Sequence, residues 1–181
     1  MKVIKPAAAL SAGAFSRAST ATYVDAAGVI QTAGVNVPRY QAGALMVESG
    51  AINLLLRSAE LDNAAVWGPA FVTISANAIA APDGTTTADK IVETASANFH
   101  YLYQYIAPGL LPYTFSVYAK AGERSTLWME TFVADSFFKF DLATGTKLDG
   151  TLDPAAASIT EIGNGWYRCS ISVVSTSTAT G

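Results

Sequence analysis

Gly163-Asn164-Gly165 stands directly before Trp166–Val174 (WYRCSISVV), and this pairing constrains the fold more than any other feature of the chain. Two glycines around an asparagine supply the positive φ angles that a tight reversal requires. The stretch that follows alternates with a period of two, so that Tyr167, Cys169, Ile171 and Val173 share one face. Such a stretch is a strand with one buried side. The same grammar recurs along the chain. Phe71–Ser75 alternates apolar with small polar residues, and Pro82-Asp83-Gly84-Thr85 is a turn in which Pro pre-sets one φ and Gly supplies the positive one. Tyr113–Lys120, Thr126–Val133, Phe137–Leu142 and Ser158–Ile162 read as further strands. Tyr23–Asp25 and Val29–Gln31 have hairpin spacing around Gly28, and Ala44–Glu48 reads as a short strand. Helical periodicity is almost absent. The expectation is an all-β fold, an antiparallel β-sandwich of jelly-roll type, preceded by an extended N-terminal arm with short strands.

Asn53–Trp67 (NLLLRSAELDNAAVW) is the corner between the two parts: the apolar Leu54-Leu55-Leu56 leads into a polar bend, and Trp67 closes it. Residues 1–50 are thus expected to form an arm and a short hairpin for attachment, and residues 51–181 the sandwich. The polar tail 175–181 adds no strand, so an edge is expected to be covered by a neighbouring chain or a further segment.

Composition narrows the function classes. Among 181 residues, 51% are hydrophobic and only 14% charged, which favours a surface covered by other copies of the chain. The 11 Lys and Arg residues are scattered and the net charge is −3, which is not a nucleic-acid footprint. One cysteine, Cys169, excludes an internal disulfide framework, and one histidine, His100, argues against a His-based metal site. Asp83 and Asp89 lie near the Pro82–Thr85 turn, but turn chemistry accounts for Asp83 without an ion, so no metal and no cofactor is expected. No apolar run approaches the roughly 18–20 residues of a membrane span. In the start, MKVIKPAAALSAGAF, Pro6 interrupts the run and the apolar part is almost all alanine, with Leu10 the only large residue, so a secretion signal is not expected.

No catalytic residue is expected. Glu130 and Asp141 fall on adjacent strands, yet exposed β faces carry such pairs without being glycosidases. A sugar platform is the better supported chemistry, because the C–H side of a pyranose stacks on an aromatic face while polar neighbours fix its hydroxyls. The candidates are Trp128, Tyr118, Tyr101 and Tyr103, with Gln104 and Glu130 as polar partners. Against this, the Phe99-Tyr101-Tyr103-Tyr105 set reads first as a core face. Trp128 differs, since Thr126 and Glu130 make its face semi-polar. Trp67 and Trp166 are expected to pack the ends of the sandwich.

Two stretches resemble a family of tailed-bacteriophage virion proteins. One is FSRASTATYVDAAGVIQTAGVNVPRY (Phe15–Tyr40) with ALMVESGAINLLLRSAELDNAAVW (Ala44–Trp67); the opening MKVIKP is similar to the start of phage tail proteins. The other is ANAIAAPDGTTTADKIVE, YTFSVYAKAGERS and GNGWYRCSISV, which also resemble concanavalin-like and carbohydrate-binding-module jelly rolls. Similar proteins continue with further strands that close the jelly roll. The resemblance implies a non-catalytic tail-fibre protein that attaches to host surface glycans. Its implied partners are other copies of itself as a homotrimer, other virion proteins through the arm, and host surface polysaccharide. It would be made in the host cytoplasm and carried on the virion, without membrane insertion. A purely structural capsid decoration, head-fibre or tail adaptor role is the alternative.

Overall fold

The structure is a computed structural model that describes residues 15–41, 43–46, 52–107, 112–132 and 135–174. The expected arm over residues 1–14, the Pro108-Gly109 break and the tail 175–181 lie outside the described residues, as do Val47, Glu48 and Ala134 of the expected strand and link.

In chain order the strands are β1 Ala21–Val24, β2 Ile30–Ala33, β3 Tyr40–Gln41, β4 Ala44–Leu45, β5 Gly68–Ala70, β6 Val72–Ile79 and β7 Ala88–Glu93. They continue as β8 Tyr101–Tyr103, β9 Pro112–Lys120, β10 Thr126–Thr131, β11 Ser136–Asp141, β12 Thr146–Gly150, β13 Ala157–Gly163 and β14 Trp166–Val174. A 3-10 turn, Pro154–Ala156, is started by the Asp153 carboxylate, which accepts a hydrogen bond from the Ala155 amide. Every strand pairing is antiparallel, and no α-helix occurs among the described residues. The fold is all-β.

Its centre is a sandwich of two three-stranded sheets, β10-β11-β12 and β13-β14-β9. Alternation decides which side chains meet between them. Met129 from β10 and Phe138 and Phe140 from β11 face Cys169 and Ile171 from β14, joined by Leu142 and Ala157. Phe115 and Val117 of β9 and Ile159 of β13 pack on this cluster. Phe140, Cys169 and Ile171 are completely buried. Removal of this apolar surface from water is the main driving force for the fold. The Cys169 thiol is pushed up to about 11 by its burial, so it stays neutral and packs as a small hydrophobe.

Turn chemistry acts where alternation stops. Gly163, Asn164 and Gly165 all have positive φ, which turns β13 into β14. The β1–β2 hairpin closes through Gly28 (φ +79°) and the Asp25 carboxylate, which accepts from the amides of Ala27 and Val29 and from the Gln31 side chain. This hairpin is seated on the sandwich end: Gly28 lies against the Ile162 carbonyl, and the Ile30 amide donates to the Pro82 carbonyl at 3.1 Å. Arg39, buried, donates to the Thr22 carbonyl, and Arg17 donates to the carbonyls of Ala33 and Gly34.

Three of these turn carboxylates are held below the ordinary carboxylate value of 3.8. Hydrogen bonds cause each shift: chiefly from the Val29 amide and Gln31 for Asp25, from the Thr85 hydroxyl and amide for Asp83, and from the Ala143 amide and Thr144 hydroxyl for Asp141. Depressed folded-state values mean that the stabilisation is present above 3.8 and is lost as pH falls through the folded values. The amide resonances of Val29, Thr85 and Ala143 should therefore titrate in NMR spectra with midpoints below 3.8. Midpoints at or above that value would contradict the turn geometry.

The corner over residues 53–67 contains turns only, with Leu54 and Leu56 exposed, while Trp67 is buried and its indole N–H donates to the Arg57 carbonyl at 3.0 Å. Asp89 ties this corner to β6 and β7, accepting from the amides of Leu61 and Asn77. Trp166 is likewise buried.

Candidate functional site

The expected core face at residues 99–105 requires correction. Pairing with Gly68–Ala70 limits the strand to Tyr101–Tyr103, and Phe99 and Tyr105 are 79% and 75% exposed. No sheet lies over them among the described residues, so the period of two marks a surface here. The rings form a chain instead: Tyr101 to Tyr103 at 5.8 Å between centroids, Tyr103 edge-on to Tyr105 at 5.1 Å, and Tyr105 stacked on Phe132 at 5.6 Å. Such pairs contribute about 0.5–1.5 kcal/mol each beyond area burial. Gly68 makes this possible, because it faces Tyr103 across the β5–β8 ladder and any Cβ there would strike the phenol ring.

Phe132 follows Thr131 at the end of β10, in step with Thr126, Trp128 and Glu130. These residues point away from the core, since Met129 between them is buried. The β10–β11 register sets Lys139 opposite Trp128 and Phe137 opposite Glu130 on this outer face. The Trp128 and Phe137 rings are 4.7 Å apart, tilted by 37°. The Lys139 ammonium lies 4.8 Å over Trp128 and 5.5 Å from the centre of Phe137, and 3.4 Å from the Asp149 carboxylate of β12. Trp128 remains 47% exposed despite these neighbours. The face thus offers an aromatic surface, an ammonium that donates and a Glu130 carboxylate that accepts. Those three functions are what a polyhydroxylated ring needs.

The other candidates are placed differently. Tyr101 and Tyr103 reach the same region through Tyr105 and Phe132. The Gln104 amide is committed to structure: it accepts from the Leu56 amide at 2.7 Å and donates to the Leu56 carbonyl at 2.9 Å, standing in for a strand partner of the corner. Tyr118 lies on β9, opposite Arg168 and out of step with the core residues Phe115 and Val117. It therefore occupies the outer face of the other sheet, across the sandwich from Trp128. Phe132, Phe137 and Lys139 were not singled out from the sequence. The hairpin register carries that signal, since pairing Thr131 with Ser136 places Lys139 across from Trp128.

Glu130 and Asp141 do not have glycosidase spacing. In the register Asp141 faces Thr126, four residues from Glu130, or about 13 Å along the strand, beyond the separations of either stereochemical class. Asp141 is occupied by the Ala143 amide and the Thr144 hydroxyl. Asp83 is bound by Thr85 and Asp89 by backbone amides, and the described residues contain no group of three His, Cys, Asp or Glu side chains able to hold a metal. No helix among them is long and apolar enough to cross a membrane.

No protein-family model and no curated protein sequence matches the chain.

Proposed function

We propose that this chain is a tail-fibre-type virion protein of a tailed bacteriophage, and that the outer face around Trp128 attaches to host surface polysaccharide without catalysis. The observation that carries the reading is the exposed Trp128 ring packed beside the half-buried Phe137, with Lys139 and Glu130 next to them, on a sheet rather than a loop. Aromatic side chains this large are normally covered, and polar groups that converge on them suit a sugar better than an apolar partner. The sequence likeness to phage virion proteins and carbohydrate-binding jelly rolls agrees with this chemistry. Single sugar contacts are weak, so copies of the chain in a trimer would sum them into useful avidity.

Trp128→Ala is expected to lower binding to a neutral and anionic oligosaccharide array by about tenfold or more, as loss of an aromatic anchor does. Circular dichroism should be unchanged, because the residue is half exposed and outside the core. Binding equal to the parent chain would remove this face from consideration.

A structural role in the virion without sugar binding is the second reading, favoured by the β6–β7 ribbon. Ile79 and Ile91 are exposed on this two-stranded element, a surface suited to assembly. That reading predicts normal attachment by the Trp128→Ala protein and failure to enter particles when residues 1–18 are deleted.

A further inference from the structure

Beside the Trp128 face opens a shallow cleft of about 560 Å³, lined by Glu93, Glu123, Arg124, Ser125 and Thr126. Glu93 comes from β7, and the others from the link between β9 and β10 and the first residue of β10. Two ion pairs bridge these elements: Arg124 to Glu93 at 2.8 Å and Lys90 to Glu123 at 2.6 Å. The link is held in place by the Ser125 carbonyl, which accepts from the Leu142 amide at 2.8 Å. Thr126 connects cleft and platform, because it precedes Trp128 by two residues on the same outer face, about 7 Å away.

The charges around the cleft cancel, two carboxylates against one ammonium and one guanidinium. Exposed pairs of this kind add little stability, and they leave acceptors and donors accessible together. Glu123 and Arg124 are 78% and 76% exposed, so their unused oxygens and N–H groups face solvent. A hydroxyl both donates and accepts, and suits such a lining. A sugar carboxylate or sulfate would meet as many like as opposite charges and so gain no net attraction to offset the loss of its hydration.

We propose that this cleft is the polar subsite of the Trp128 platform and selects a neutral pyranose unit, with Glu93 and Glu123 accepting from hydroxyls and Arg124 donating to them. This rests on the polysaccharide reading above.

The test is binding of the purified chain to an array carrying neutral hexose and N-acetylhexosamine oligosaccharides beside uronate- and sialate-containing ones, at low and high salt. Neutral oligosaccharides should bind with little salt dependence. Glu93→Ala and Glu123→Ala should each weaken that binding by about tenfold, as loss of a hydrogen bond to a charged group does. Thr126→Tyr, which fills the cleft from an exposed position, should do the same without altering either ion pair. Preference for anionic oligosaccharides that fades with salt would overturn the proposal. So would neutral binding that Trp128→Ala abolishes but the three cleft variants leave unchanged, an outcome that retains the platform and discards the cleft. Absence of binding to every oligosaccharide would overturn the polysaccharide reading itself, and the cleft assignment with it.

Discussion

Phe140→Ala is expected to cost about 3–5 kcal/mol of folding stability. Phe140 is fully buried, on the middle strand of the β10-β11-β12 sheet. Its ring lies 5.5 Å from that of Phe138, within the cluster that includes Ile171 and Cys169. Alanine would leave a cavity that strands on both sides prevent from collapsing, so the cavity term adds to the lost transfer energy. Native stabilities are only about 5–15 kcal/mol, and such a loss brings the sandwich close to unfolding. Urea denaturation should show a large fall in midpoint with little change in slope. Phe132→Ala is the control: that ring is 72% exposed, and its removal should cost no more than about 1.5 kcal/mol, the worth of its stack on Tyr105. Equal effects of the two would mean that the sheets do not pack as described.

The second large effect is expected at Gly28. Its φ is +79°, and a Cβ built there would lie 2.6 Å from the Ile162 carbonyl oxygen, part of the backbone at the β13–β14 turn. Gly84 has almost the same φ, +84°, but faces open space. Alanine at either site incurs the left-handed backbone cost of about 1–2 kcal/mol. Only at Gly28 is there a clash in addition, which the β1–β2 hairpin can relieve by lifting off the sandwich. Gly84→Ala should therefore lower stability modestly and locally. Gly28→Ala should cost more and should strip hydrogen-exchange protection from the paired residues Tyr23 and Gln31. Matching behaviour of the two variants would show that the hairpin is not seated on Ile162.

Much of the sandwich was legible in the sequence because two signals agree there. Turn residues fix where strands reverse, and alternation fixes which side is buried; at Gly163–Val173 both point to the same answer. Cys169, Ile171 and Val173 are buried as that alternation requires. The aromatic stretch around Tyr103 is where alternation alone misleads. A period of two describes a strand's two faces but not which face is covered, and the decision lies with whatever packs against it. Only a two-stranded ribbon with Gly68–Ala70 forms there, so the tyrosines stay at the surface. Gln104 illustrates a second limit: its bonds to Leu56 join residues 48 positions apart, and no local pattern encodes them. The semi-polar face-mates of Trp128 set it apart from the core aromatics without deciding its exposure, whereas its neighbours Phe137 and Lys139 depend on hairpin register. Tyr118 separates from the group for the same reason, since sheet assignment, not alternation, decides its side of the sandwich.

The proposed role places the chain on a virion, and its position there tests the attachment reading most directly. The measurement is immunogold electron microscopy of intact phage particles with antibody raised against this chain. Gold on the fibres or the tail tip is the predicted result. Gold confined to the head, or on no particle at all, would contradict attachment as the role of the Trp128 face.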